Sequence, residues 1–170
     1  NQIFENISIA TYAQYLNLSN STVSNCYANF EGDASHHENN IYHNNSLKLY
    51  MTEESLIEHC LFNENSGIDG NLIYLSSNVN SLLLDQNTFY NNSGDAHIYI
   101  ESCQGEMKNT ILQENETIFY FPACGSDRYE VSYSLASDLD GNPVADWGEE
   151  GDINFNNVIY GNPLFMDTDN

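Results

Sequence analysis

Two nearly identical phrases, 27 residues apart, constrain this chain more than any other feature. The phrases "CLFNENSG" (60–67) and "NTFYNNSG" (87–94) each contain an apolar pair, an Asn-rich corner and Ser-Gly, and a short β-branched and aromatic run follows. A chain that repeats a short segment in this way builds the same local structure more than once. The search for further copies therefore comes before any local assignment of structure.

Weaker copies of the phrase cover most of the chain. Aligned on the apolar residue equivalent to Phe62, they follow one another at intervals of 24, 14, 20, 27, 23 and 24 residues. The interval of 14 is too short for the pattern, so either Tyr42 is misassigned or that coil is irregular. The aligned anchors are Phe4, Ala28, Tyr42, Phe62, Phe89, Leu112 and Ala136.

The apolar runs within each copy are short and are separated by Asn, Gly, Ser and Asp, which are turn residues. None keeps the i, i+3, i+4, i+7 spacing of a helix over three turns, so we expect few helices. Three short strands per repeat predict an all-β solenoid of about seven coils, because stacking buries an interior that no single coil can bury. One set of equivalent strands is "LIYL" (72–75), "HIYI" (97–100) and "IFYF" (118–121).

Two other architectures were considered. A β-sandwich also has short strands and polar turns, but its strands recur at about 8–12 residues without a repeated corner. A leucine-rich repeat needs a Leu-x-x-Leu-x-Leu pattern, which this sequence lacks. In the solenoid, the corner residues Asn65, Asn92 and Asn115 are predicted to form a ladder of amides that bond from coil to coil.

The repeats resemble the right-handed parallel β-helix proteins of bacterial secretomes, which include pectate-lyase-like domains and surface adhesins. "FNENSG" and "FYNNSG" are similar to the Phe-x-x-Asn repeats of β-helical adhesin passengers. The tail, with "GNPLFMD" at 161–167, is similar to a terminal segment of such proteins. The resemblance implies a right-handed parallel β-helix, with coils over 1–136 and an acidic loop and final strand over 137–170 that continue or cap it.

The charge of the chain excludes two classes of partner. The sequence has 25 acidic and 3 basic residues, for a net charge of −22. Nucleic acids and anionic membrane surfaces both require clustered Lys and Arg. No apolar run is long enough to span a bilayer and no signal peptide is present, so we interpret the chain as a mature or excised segment, with a longer parent chain as one alternative.

The four cysteines favour an oxidising, extracellular or cell-surface compartment. The separation of Cys103 and Cys124 in the sequence is close to the length of one coil. The two residues are therefore within disulfide reach if they occupy equivalent positions on adjacent coils. Cys26 and Cys60 occupy equivalent alignment positions, and they can bond only if 26–60 is a single enlarged coil. Six sequons predict glycans in a eukaryotic or equivalent source: Asn6, Asn17, Asn20, Asn44, Asn91 and Asn115.

Two segments are candidates for metal ions. The loop "SDLDGNPVADWGEEGD" (137–152) contains alternating hard oxygen ligands of the kind that Ca²⁺ prefers: Asp138, Asp140, Asn142 and Asp146. The segment "SHHENNIYH" (35–43) contains three His residues, but adjacent His36 and His37 point to opposite faces of an extended chain. A zinc site there is therefore disfavoured. No cofactor is required by the sequence.

Two enzyme classes were weighed. A polysaccharide lyase needs a basic residue as catalyst, but Lys48, Lys108 and Arg128 lie on different coils at unmatched positions. A glycoside hydrolase needs two carboxylates about 5–9.5 Å apart, and Glu58 with Asp85, or Asp69 with Asp95, fill equivalent positions on neighbouring coils. Pairs of this kind also arise by chance in so acidic a chain.

The sequence as a whole favours a secreted or cell-surface β-helix segment with a structural, adhesive or carbohydrate-binding role. Tyrosines are numerous, and an exposed stripe of them would bind a polysaccharide or a cell-surface glycan; Tyr90 is the candidate contact, since it alternates with inward Phe89. A glycoside hydrolase is the first alternative. A subunit that assembles end to end into filaments is the second, because the ends of a solenoid are unpaired strand edges.

Overall fold

The computed structural model describes residues 2–76, 81–101, 104–114, 118–120, 128–140, 142 and 153–161. The secondary structure of these residues is entirely β, and the paired strands are parallel. The chain is a parallel β-solenoid of about six turns, slightly fewer than the sequence predicted. The fold class and the resemblance to parallel β-helix repeat proteins are thereby confirmed.

Each turn of the solenoid has three faces, which we call A, B and C in chain order. Face A is a continuous eight-stranded parallel sheet. Its short strands, which follow one another from turn to turn, are β1 (Gln2–Glu5), β3 (Ser21–Ser24), β5 (Ile41–His43), β8 (Leu61–Asn63), β12 (Thr88–Tyr90), β15 (Ile111–Gln113), β18 (Leu135–Ser137) and β20 (Ile159–Tyr160).

Faces B and C belong to one twelve-stranded sheet, because the first two turns cross both faces in a single long strand. These long strands are β2 (Ser8–Ser19) and β4 (Tyr27–Glu38). Face B continues with β6 (Ser46–Met51), the short β9 (Ser66–Gly67), β10 (Asn71–Leu75), β13 (Ala96–Ile100) and β16 (Phe119–Tyr120). Face C continues with β7 (Ser55–Glu58), β11 (Leu82–Asp85), β14 (Gly105–Lys108), β17 (Tyr129–Ser132) and β19 (Ile153–Asn156).

The strand β4 shows how the two faces separate. Its first half, up to Gly32, pairs with β6, and its second half, from His36, pairs with β7. A side chain at Gly32 would meet the Ser35 hydroxyl at 2.7 Å, so the absence of a Cβ lets the strand bend here. From β6 onwards, separate strands occupy faces B and C.

Parallel, in-register stacking lines the interior with columns of like residues. On face A the rings of Tyr42, Phe62 and Phe89 are fully buried and stacked, with centroids 5.0 and 4.6 Å apart. These distances match the ~4.8 Å spacing of neighbouring strands. Burying such side chains contributes about 1.5–3 kcal/mol each, so the repeated apolar anchor of the sequence is one of the elements that stabilise the fold.

Two of the three corners share one construction, and it explains the abundance of Asn. A residue in the left-handed conformation, with φ between 47° and 56°, ends the strand, and the next side chain turns into the interior. Asn tolerates this conformation better than most residues. The left-handed residues are Asn6, Asn25, Asn44, Glu64 and Asn91 between faces A and B, and Asn20, Asn39, His59, Gln86, Asn109, Tyr133 and Asn157 between faces C and A.

The strand register corrects one anchor of the sequence alignment. Val23, and not Ala28, pairs with Phe4 and with Tyr42, which makes the intervals 19, 19, 20, 27, 23, 24 and 24 residues up to Tyr160. The error arose because Cys26 and Cys60 each follow a left-handed residue, but at different corners. Tyr42 was correctly assigned, and the short interval reflected the misplaced Ala28.

Candidate functional site: an exterior tyrosine column

Four tyrosines form a column on the outside of face B. The register pairs Tyr50 with Tyr74, Tyr74 with Tyr99, and Tyr99 with Tyr120. Their rings are stacked, with centroids 5.3, 4.4 and 5.2 Å apart and interplanar angles of 23°, 5° and 30°. We call these four residues the tyrosine column.

Charged and hydroxyl side chains flank the column on both sides. The Tyr74 hydroxyl donates a hydrogen bond to Glu101 at 3.0 Å, and the Ser76 hydroxyl donates to the same carboxylate at 3.1 Å. Burial, and then the hydrogen bond to Glu101, raise the pKa of Tyr74 well above its usual value. This phenol therefore stays protonated, and its O–H is donated to Glu101.

On the opposite side, Lys48 is held beside the rings. Its ammonium lies 5.7 and 5.5 Å from the ring centroids of Tyr50 and Tyr74, and 3.1 Å from the Asp69 carboxylate. These distances are those of a cation–π contact. The Lys48 ammonium is thus held by the rings of the column and by the Asp69 carboxylate.

The stacked geometry decides what the column can bind. Each inner ring covers the face of its neighbour, so the column presents ring edges and hydroxyls to solvent rather than ring faces. Tyr50, Tyr74 and Tyr99 are half-buried, and Tyr120 is 44% exposed. A regular row of phenols with adjacent carboxylates suits a ligand that is itself a row of hydroxyl groups.

The sequence predicted the strands of this site but not the column. The equivalence of "LIYL", "HIYI" and "IFYF" is confirmed, because Tyr74, Tyr99 and Tyr120 are register partners. The signal that could have revealed the column is the common third position of these three segments. Tyr90, the candidate chosen from the sequence, is half-buried on the outside of face A and lies away from the column.

A second column, of buried amides, runs inside the corner between faces A and B. Asn45, Asn65 and Asn92 each donate from Nδ2 to the next rung, at 2.9, 3.0 and 2.6 Å, and the last acceptor is Glu114. Each Nδ2 also donates to a backbone carbonyl one turn back. The predicted ladder is therefore present at Asn65 and Asn92.

The ladder ends differently from the prediction. Glu114 fills the rung expected for Asn115, because Glu114 follows β15 directly, without the left-handed residue that separates Asn65 and Asn92 from their strands. Asn115 itself lies outside the described residues. The buried Glu114 carboxyl group lies 3.4 Å from Nε2 of His97, which is also buried, so the ladder ends against a buried imidazole.

The sequon asparagines lie on the surface where the structure describes them. Asn6, Asn20, Asn44 and Asn91 are exposed left-handed corner residues, and Asn17 is exposed on β2. The corner rule itself places an Asn before the buried residue, which gives a structural reason for several of these sequons. Whether they carry glycans stays a prediction.

The two described cysteines do not form the bond that the sequence left open. Cys26 and Cys60 are buried free thiols at different corners of the solenoid. Burial raises the pKa of the Cys60 thiol to about 12, which makes it an unreactive group. Cys103 and Cys124 lie outside the described residues.

The candidate calcium loop is only partly described. Backbone N–H and Nδ2 of Asn142 donate to the Asp138 carboxylate at 2.7 and 2.9 Å, Asp140 is exposed, and Asp146 lies outside the described residues. Among the residues that the structure describes, no group of three or more His, Cys, Asp or Glu side chains could hold a metal ion. A role for Ca²⁺ in this loop stays a prediction.

The His-rich segment is divided between the two sides of the sheet, as expected for adjacent residues on a strand. His36 lies outside, with Nε2 2.8 Å from Glu58 Oε1. His37 is buried, with Nδ1 2.7 Å from the Tyr42 hydroxyl oxygen. Burial, and then the neighbouring His36, lower the pKa of His37 to about 3, so this imidazole is a neutral part of the core.

Of the two candidate carboxylate pairs, one is aligned. Glu58 and Asp85 are register partners, but Glu58 contacts His36 and Asp85 accepts a hydrogen bond from Asn109 at 2.9 Å. Asp95 lies beside Gly70 rather than Asp69, since its N–H donates to the Gly70 carbonyl at 2.8 Å. Neither pair forms an isolated, convergent acid and base.

Comparison of the chain with protein-family models, with curated proteins and with solved structures finds no match. Within the described part of the chain, no helix is long and apolar enough to cross a membrane. The fold and the geometry of the two columns are therefore the basis for any functional conclusion.

Proposed function

We propose that this chain is a segment of an extracellular or cell-surface β-solenoid protein that adheres to a glycan through its tyrosine column. The observation that carries the proposal is the row of four stacked tyrosines, of which Tyr74 is hydrogen-bonded to Glu101. Tyrosine combines an apolar ring with a polar tip and is enriched at recognition surfaces. A column of such residues recognises an extended polymer better than a compact ligand.

The charge of the chain selects among glycans. With a net charge of −22, the surface repels polyuronates and sulfated polymers. Glu101 and Asp69, beside the column, accept hydrogen bonds from hydroxyl groups but repel anionic groups. The proposed ligand is therefore a neutral polysaccharide or cell-surface glycan, bound along the solenoid axis.

The test is binding of the chain to a panel of neutral and acidic polysaccharides, with and without Ca²⁺, measured by calorimetry or affinity electrophoresis. We expect binding to at least one neutral polymer and a loss of roughly tenfold or more in affinity on Tyr99→Ala, since hot-spot tyrosines dominate such surfaces. Tyr133→Ala, which removes an exposed tyrosine outside the column, is the matched control and should bind as before. Absence of binding, or equal effects of the two variants, would reject the proposal.

The same samples distinguish adhesion from catalysis. Release of new reducing ends from any polymer would replace the adhesive function with the glycoside hydrolase alternative, and Glu58→Gln and Asp85→Asn would then be the first catalytic variants to examine. Binding without release supports adhesion. If Ca²⁺ changes binding, Asp138→Asn tests whether the acidic loop holds the ion.

A further inference from the structure

A row of apolar side chains runs along the outside of face A. In the six central strands of this face, a buried anchor such as Phe62 or Phe89 follows a side chain that points outward, because successive residues of a strand face opposite sides. The register aligns these outward side chains from turn to turn. We call them the apolar stripe: Thr22, Ile41, Leu61, Thr88, Ile111 and Leu135.

The stripe is accessible along its whole length. Ile41 is 42% exposed, and the other five side chains are half-buried. Single apolar residues on a surface are ordinary, but a contiguous apolar patch marks a site of interaction. The stripe is contiguous because its members lie on neighbouring strands, at a spacing of ~4.8 Å.

Face A also differs from the other faces in its charge. Among the described strands of face A, Glu5 is the only acidic residue and none contains Lys or Arg. On the outside of face C, by contrast, one column of register partners consists of Glu38, Glu58, Asp85 and Lys108. In a chain of net charge −22, face A is therefore a side on which another acidic molecule can dock with little burial of carboxylates.

The corner between faces C and A extends this uncharged surface. Its left-handed residues in the central turns are uncharged apart from any protonation of His59: Asn20, Asn39, His59, Gln86, Asn109 and Tyr133. Eight strands spaced by ~4.8 Å make the face about 34 Å long, and four to five residues of strand make it roughly 15 Å wide. Two such faces bury roughly 1,000 Å² together, which is at the lower limit of specific interfaces.

We propose that face A is a docking surface for a second copy of the chain, which binds through its own face A to form a two-fold dimer. The two-fold axis lies along the strands, so the apolar stripes of the two copies meet and the solenoid axes run in opposite directions. The two sheets pack about 10 Å apart, as in a β-sandwich. Both tyrosine columns, on face B, stay accessible.

Charge favours this arrangement over docking of face A on another face of the second copy. The outside of face B carries Glu31, Asp69 and Glu101 beside the tyrosine column, and face C carries the acidic column described above. Covering these carboxylates with the apolar stripe, which offers no cation, is costly. Contact between two copies of face A buries apolar side chains against each other and keeps the acidic faces apart.

The first measurement is the mass of the chain in solution, by sedimentation over a range of concentrations. The chain is produced in a host that adds no N-glycans, since a glycan on Asn20 would lie beside the stripe. We expect a reversible change from the 19.2 kDa of one chain to twice that mass. A monomer at all concentrations up to about 1 mM, or a series of growing assemblies, would overturn the proposal.

Small-angle X-ray scattering of the dimer distinguishes the two faces from the two ends of the solenoid. Two copies joined through face A lie side by side, so the particle should keep about the length of one solenoid while its cross-section doubles. End-to-end association would double the length and keep the cross-section, and that result would refute the proposal.

The variant Ile41→Lys locates the interface. It places a charge within the stripe of each copy, so the dissociation constant of the dimer should rise by roughly tenfold or more. Leu83→Lys makes the same exchange at a half-buried outward position of β11 on face C, and this control should dimerise as before. Equal effects of the two variants contradict the proposal, and so does tighter association of Ile41→Lys, which would mean that face A meets an acidic face.

Two further variants guard the interpretation. Thr88→Lys repeats the test on another turn, at a position that is already polar, and should also weaken the dimer by roughly tenfold; urea unfolding of each variant verifies that it is folded. Tyr99→Ala, in the tyrosine column, should leave the dissociation constant unchanged, so failure of glycan binding and failure of dimerisation are separate results. A folded Thr88→Lys variant that dimerises like the original chain would refute the proposal.

Discussion

The amide ladder and the tyrosine column arise from the same geometry but have opposite consequences. Both are columns of register partners, spaced by the strands of the solenoid. Asn65 and Asn92 are buried and bonded on both sides, whereas Tyr74 and Tyr99 are half-buried and keep their edges in solvent. Repetition therefore produces a column inside the solenoid and another on its exterior. The buried amide ladder stabilises the fold, whereas the exterior tyrosine column leaves its ring edges accessible to a ligand.

The largest expected effect is on the stability of the interior at acid pH. It comes from His37, which is buried beside Tyr42 in the core. Burial and His36 lower the pKa of His37 to about 3, while an unfolded His titrates near 6.5. Between these values the unfolded state binds the additional proton, so the stabilisation is complete above about pH 6.5 and is lost as the pH falls toward 3. We expect a loss of roughly 3–5 kcal/mol over this window, measured by urea unfolding at several pH values.

The variant His37→Gln isolates this contribution from the titration of the many carboxylates. It keeps a polar group beside Tyr42 but removes the titrating imidazole, so the dependence of unfolding free energy on pH should become shallower between about pH 6.5 and 3. His59→Gln, at an exposed corner, is the control and should keep the original slope. Equal slopes for all three proteins would show that His37 is not a buried neutral group.

Breaking the amide ladder should have the next largest effect. Asn92→Ala removes the acceptor for the Asn65 backbone N–H and the donors to Phe62 and Glu114, and leaves buried polar groups unpaired. The expected loss is about 2–4 kcal/mol of unfolding free energy, measured by urea denaturation. Asn17→Ala, at an exposed position on β2, is the control and should change the unfolding free energy by less than about 0.5 kcal/mol. Similar losses in both variants would show that the amide ladder does not stabilise the fold.

Breaking the tyrosine column should cost less stability than breaking the ladder. Tyr99→Ala removes two ring contacts, with Tyr74 and with Tyr120, each worth about 0.5–1.5 kcal/mol. We expect a total loss of about 1–3 kcal/mol together with the loss of glycan binding. A loss as large as that of Asn92→Ala would mean that the exterior column is mainly a structural element.

The smallest expected effect tests the preference for Asn at the left-handed corner positions. Gln86 occupies a left-handed position with φ 55°, where most turns place Asn. Gln86→Asn should raise the unfolding free energy by about 0.5–1 kcal/mol, since Asn is strained less in this conformation. The same exchange at Gln14, within β2, should give no gain because Asn is depleted in strands; a gain at both positions would indicate a cause other than the backbone.

The sequence predicted the fold class, the strand equivalences on face B and two rungs of the ladder. It misplaced one anchor because Cys26 and Cys60 stand in the same local context at two different corners. It also placed the last rung at Asn115, because a constant spacing after the anchor hides the missing left-handed residue before Glu114. Local similarity identifies a corner, but the strand register is needed to tell which corner it is.

The sequence alone determined that this chain is a stack of similar coils, because an apolar anchor followed by an Asn-rich corner recurs along most of it. Only the tertiary structure decided which tyrosines meet and that the two described cysteines stay apart. The physical reason is that pattern and turn chemistry act within one coil, whereas contacts between coils depend on register. Register changes with every residue added to or removed from a turn.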